Sequence, residues 1–135
     1  MNTLKFYVRD RQNDEAKRRI EAKLLQLEFT QGDLSTCDIL IVHRNTDAPG
    51  RTGGISQDDV DRLIARGGIY IEYTNAGASW EVLGERKFYG SHAEILQRLS
   101  RLSPPVSIAD LREAFEARTE VEVLAALSIL CQGYL

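Results

Sequence analysis

Asp10, His43, Asp47, Arg51, Glu72 and Thr74 are the residues of this chain whose types and spacing could do chemistry. Carboxylates and an imidazole can move protons, a threonine hydroxyl can meet a phosphate oxygen, and a guanidinium binds anions in a planar fork. Asp10, His43, Glu72 and Thr74 fall at or near the ends of runs that read as β-strands. Asp47 and Arg51 lie in the segment that follows one of them, and Arg44, Asn45, Thr46 and Asn75 extend the group. In an open parallel sheet, ligands bind outside the carboxyl ends of the strands. Such a sheet would therefore bring residues distant in sequence to one edge.

The patterns also limit which chemistry is expected. A zinc site needs three or four ligands in company; His43 stands alone, His92 opens a helix, and Cys37 and Cys131 form no C-x-x-C pair. No metal and no cofactor is expected. No serine sits in a G-x-S-x-G elbow, and neither cysteine has a base near it in sequence, so no catalytic residue is assigned and an enzyme is the weaker reading. Residues 48–54 (APGRTGG) have the composition of a phosphate loop without the G-x-x-x-x-G-K-[ST] frame. They read as a flexible surface loop or, in the alternative, as backbone amides cradling an anion with help from Arg51.

Positioning falls to an alternation of strands and helices. Residues 4–9 (LKFYVR) read as a strand, and Asn13 or Asp14 caps a helix whose Ala16, Ile20, Leu24 and Leu27 share a face. Residues 28–30 form a possible short strand, and residues 37–43 (CDILIVH) read as a central strand apolar on both faces. A loop over 44–55 leads to the capping box Ser56-Gln57-Asp58-Asp59, a helix, the stop Gly67-Gly68 and the strand 69–74 (IYIEYT), a βαβ crossover that implies parallel strands. Alternation sets Glu72 opposite Ile71 and Tyr73; a carboxylate there implies a strand near the sheet edge, or a side chain aimed beside Asp47 or His43. Short extended runs flank Gly84, and Ser91-His92-Ala93-Glu94 is a second capping box before a helix ending at Pro104-Pro105. Ser107 and Thr119 start two more helices, the last apolar nearly all round and hence expected to be buried.

Composition agrees with one globular domain plus a small appendage: 135 residues, 43% hydrophobic and 27% charged. Apolar runs are too short to span a bilayer and no signal peptide is read at the N-terminus, so a cytoplasmic protein without membrane contact is expected. The net charge of −3 gives no general pull toward nucleic acid. The basic first quarter (Arg9, Arg11, Lys17, Arg18, Arg19, Lys23) lacks interleaved aromatics, so nucleic acid is not expected as a partner. The acidic tail (Asp110, Glu113, Glu116, Glu120, Glu122) reads as a solvated face.

The order of elements over residues 4–103 resembles a response-regulator receiver domain. Lys87-Phe88-Tyr89-Gly90-Ser91 leading into Ala93-Glu94-Ile95-Leu96 is similar to that family's last strand, its Lys and its final helix. Thr74 is placed like the family's switch Ser/Thr, and Asp10 like one of its acidic metal ligands. His43 stands where the phosphoacceptor Asp would close its strand, and Arg9 and Arg11 flank Asp10 in place of a second acid. The resemblance thus implies a flavodoxin-like pseudo-receiver scaffold with its phosphorylation chemistry eroded.

The expected fold is α/β, a small mostly parallel sheet of four to five strands flanked by helices over residues 1–103, with a two-helix extension over 104–135. The leading functional expectation is a non-catalytic regulatory domain in signalling. It would dock on a protein partner, or pair as a homodimer, through Val123, Leu124, Leu127 and Leu130 of the last helix. The alternative is a small-ligand, nucleotide or phosphate-binding domain, or an enzyme, using the loop 44–54 with Asp10, His43, Asp47, Arg51, Glu72 and Thr74.

Overall fold

Alternation along the strands sorts the side chains into two apolar layers, one on each side of a sheet. The computed structural model describes residues 3–117. Its strands are β1 (Lys5–Arg9), β2 (Thr30–Gln31), β3 (Ile39–His43), β4 (Ile69–Thr74), β5 (Glu81–Gly84) and β6 (Lys87–Ser91). Its helices are α1 (Asp14–Gln26), α2 (Arg44–Asp47), α3 (Gln57–Ala65), α4 (His92–Leu99) and α5 (Ile108–Glu116). The strands form one sheet in the order β2-β1-β3-β4-β6-β5, parallel throughout except that β5 runs antiparallel to β6. The five parallel strands follow the flavodoxin-like order. The sheet has six strands where four to five were expected, because the run before Gly84 pairs as a hairpin with β6.

Phe6, Val8, Ile39, Ile41, Ile69, Ile71 and Phe88 face the larger layer with Ile20 and Leu24 of α1, Ile95 and Leu99 of α4, and Leu111 and Phe115 of α5. Leu40, Val42 and Tyr70 face the smaller layer with Val60 and Leu63 of α3. The helix starts are chemically specified. Asn13 accepts from the Glu15 and Ala16 amides, and Ser56/Asp59 and Ser107/Asp110 form complete capping boxes. At α4 only half of the expected box exists. Ser91 caps the Glu94 amide, but the Glu94 carboxylate instead accepts from Arg98 Nε at 3.0 Å.

α5 belongs to the core. Arg98, 1% exposed, extends its guanidinium from α4 to the carbonyls of Ala114 (2.9 Å), Phe115 (3.3 Å) and Ala117 (2.7 Å). The indole of Trp80 donates to the Phe115 carbonyl at 2.7 Å and stacks against both Phe88 and Phe115, which also touch each other. These donors satisfy carbonyls that a helix C-terminus leaves open. α4 ends at Leu99, ahead of Pro104-Pro105, and the packed unit continues past the prolines into α5. The second expected helix, with Val123, Leu124, Leu127 and Leu130, lies outside the described residues.

Candidate functional site

The carboxyl ends of β1, β3 and β4 converge as expected, and Asp47 lies at the centre of what they hold. After β3 the chain makes the single turn α2, which carries Asp47 inward until none of it is exposed. Its Oδ1 accepts from Arg9 Nε (3.1 Å) and Arg11 Nε (2.8 Å), and its Oδ2 from the Arg11 amide (3.0 Å) and the Thr46 hydroxyl (2.6 Å). Burial pushes the Asp47 carboxyl up, but the Thr46 hydroxyl and the amide and guanidinium of Arg11 outweigh it and hold it below the ordinary carboxylate range. The arginines also reach past the carboxylate into the following loop. Arg9 donates to the Gly53 carbonyl at 2.6 Å; Arg11 donates to the Thr46 carbonyl and, at 2.9 Å, to that of Thr52. The Arg11 guanidinium rests on Gly53, whose φ of +75° suits glycine and where a Cβ would collide with it. The loop expected to be flexible is pinned at several points by Arg9 of β1 and by Arg11 just beyond it.

Asp10 and His43 are fold contacts of a similar kind on the other side of the sheet. Asp10 Oδ1 accepts from the amides of Gln12 and Asn13, both at 2.8 Å, turning the chain from β1 into α1. Its Oδ2 accepts from the Tyr73 hydroxyl at 2.5 Å. Burial, then Asp10 itself, raises the Tyr73 phenol, so Tyr73 stays a donor. His43, 1% exposed, caps α2: its Nδ1 accepts from the Asn45 amide at 3.2 Å, while its ring meets Tyr73 edge-on at 5.5 Å. Because Nδ1 accepts a backbone N–H, the ring carries its proton on Nε2.

Glu72 corrects an expectation. β4 lies inside the sheet, between β3 and β6, so the carboxylate is not at an edge. Nor does it meet Asp47 or His43. Arg44 Nε donates to its Oε1 at 2.7 Å and the Tyr70 hydroxyl to its Oε2 at 2.8 Å, and the Arg44 guanidinium lies 3.3 Å above the Tyr89 ring centre. Burial and Glu72 together raise the Tyr70 phenol. Thr74 closes β4, accepting from the Ala76 amide at 3.3 Å. Lys87 opens β6 opposite Tyr70, at the amino edge of the sheet and away from Asp10.

Arg51 differs from the other candidates. It is exposed, its Nε donates to the Arg44 carbonyl at 3.3 Å, and it forms no ion pair among the described residues. With Arg11, Asn45, Thr46 and Thr52 it lines an open depression of about 470 Å³. Local pattern shows Arg9 and Arg11 only as part of the basic first quarter, and their role as clamps on the loop follows from their position at the end of β1. Tyr73 and Tyr89 were missed because an aromatic residue in a strand reads as core. No group of three or more metal-ligating side chains occurs among the described residues, and no described helix is long and apolar enough to cross a membrane. No family model, no curated protein and no solved structure matches this chain.

Proposed function

We propose that this chain is a non-catalytic regulatory or protein-interaction module on a pseudo-receiver scaffold, acting through docking or self-association of its C-terminal segment. Two features support the reading. Asp10, His43, Asp47 and Glu72 are each committed to holding backbone or arginine in place, which is a structural use of groups that chemistry would need free.

The observation that carries the proposal is the anchored end of α5. Arg98 and Trp80 anchor the end of α5 as far as Ala117, and the apolar sequence 121–130 (VEVLAALSIL) follows it in the chain. Trp80 also leads into β5, the strand at the sheet edge, whose Val82 and Leu83 are 57% and 43% exposed. An exposed apolar edge on the domain, together with an apolar sequence further along the chain, fits docking onto this chain, a second copy or a protein partner. A cytoplasmic setting agrees with Cys37 being a buried free thiol.

The test is light scattering and thermal melting of the full chain against a Leu124→Glu, Leu127→Glu variant. Self-association predicts a concentration-dependent mass that the variant loses; docking on the chain's own core predicts a lower melting temperature. A monomer at all concentrations, with melting unchanged in the variant, overturns both. Deleting residues 104–135 is the wrong perturbation, because it strips Leu111 and Phe115 from the core.

A further inference from the structure

We infer that the depression formed by Arg11, Asn45, Thr46, Arg51 and Thr52 is a binding site for a phosphate group carried on a small molecule. None of its five lining residues is acidic; the Arg51 guanidinium, the Asn45 amide and the Thr52 hydroxyl supply donors, while the Thr46 hydroxyl and much of the Arg11 guanidinium are engaged by Asp47 and the loop carbonyls. Four arginines (Arg9, Arg11, Arg44 and Arg51) gather at this end of the sheet. The carboxylates among them face inward: Asp47 is fully buried beneath Arg9 and Arg11, and the Glu72 side chain, 15% exposed, is covered by Arg44. The negative charge is thus spent inside the fold while guanidinium groups face the opening.

The two arginines of the depression have different tasks. Arg11 is fixed by Asp47 and by the Thr46 and Thr52 carbonyls, so it is preorganised. Among the described residues the Arg51 side chain is held through its Nε alone, leaving its terminal nitrogens to close on an anion in the bidentate manner of Arg with phosphate. The depression is open to solvent, which leaves room beside a phosphate for the organic part of an ester. Asp47 would act as a positioning residue, since it sets the Arg11 guanidinium and the loop.

The experiment is calorimetric titration of the full chain with inorganic phosphate and with adenosine monophosphate, at constant ionic strength set with chloride. Saturable binding of either probe is expected, and tighter binding of the ester shows that the organic part is also seated. Arg51→Ala should weaken binding about tenfold with no change in melting temperature, and Arg51→Lys should fall between. No saturable binding of either probe overturns the assignment, as does unchanged affinity in Arg51→Ala. If Arg51→Ala melts differently, Thr52→Val supplies the second variant; an affinity equal to that of the unmodified chain there also overturns it.

Discussion

Replacing Asp47 by Asn isolates the charge at the centre of the carboxyl edge with almost no change of shape. The amide keeps one oxygen for the Nε groups of Arg9 and Arg11. Its NH₂, however, is turned toward the Arg11 backbone N–H and the Thr46 hydroxyl, which now donate at 3.0 and 2.6 Å. Thr46 can rotate to accept, but the Arg11 amide cannot, and a buried donor left unmet costs about 1–3 kcal/mol. Lost attraction to two guanidiniums adds about 1 kcal/mol, a small figure because the arginine side chains are 30% and 44% exposed and recover water. The expected loss is about 2–4 kcal/mol, within the margin of a domain stable by about 5–15 kcal/mol, so Asp47→Asn should fold. Urea unfolding measures the loss, and limited trypsin cleavage after Arg51 should accelerate as the loop is released. The pH dependence has a definite sign. The Asp47 carboxyl is held below its ordinary range, so its contribution is full above the unfolded value of about 4 and fades as pH falls through the folded value. The stability gap between the unmodified chain and Asp47→Asn should therefore be level through neutral pH and close below about pH 4. A gap under about 0.5 kcal/mol at neutral pH, the size of an ordinary surface substitution, would refute the reasoning.

Other perturbations follow from single contacts. Gly90→Ala drives a Cβ into the Trp80 ring, and overpacking of this kind costs about 1–3 kcal/mol; Trp80 is the one tryptophan of the chain, so its fluorescence reports the displacement directly. Arg98→Met keeps much of the aliphatic bulk but leaves the Ala114, Phe115 and Ala117 carbonyls without their guanidinium donor. Faster amide exchange in α5 than in α1 is the expected result, with a loss of about 2–4 kcal/mol. Cys37 is buried, and burial raises its thiol despite the nearby Arg66. In a Cys131→Ser background, alkylation of Cys37 should be orders of magnitude slower in buffer than in denaturant, a ratio that tracks unfolding.

Much of the fold was legible because its signals are local or strictly periodic. The capping boxes at Ser56 and Ser107 and the stop at Gly67 set helix limits through hydrogen bonds within a few residues. The run 39–42, apolar on both faces, reads as a strand covered on both sides. The status of Glu72 was not legible, since its stability inside the sheet depends on Arg44, whose location relative to it depends on the β3–β4 pairing. The clamp on the loop was hidden for the same reason. Arg9 and Arg11 precede Asp47 by 38 and 36 positions, and a salt bridge of that separation leaves no trace in local pattern. Burial of α5 depends on Arg98 and Trp80 reaching the Phe115 carbonyl from 17 and 35 positions away, contacts that leave no trace in local pattern.

The anchoring of α5 also bears on how the chain comes off the ribosome. Every described strand has been synthesised by Ser91, yet Phe88 and Trp80, which stack on each other, lack the third ring of their cluster until Phe115 has emerged. The nascent sheet therefore carries an open apolar face through the making of α4 and the proline turn, the interval in which strand edges and bare layers invite wrong partners. A pause in translation just beyond residue 91 should prolong chaperone engagement, and release should follow the appearance of α5.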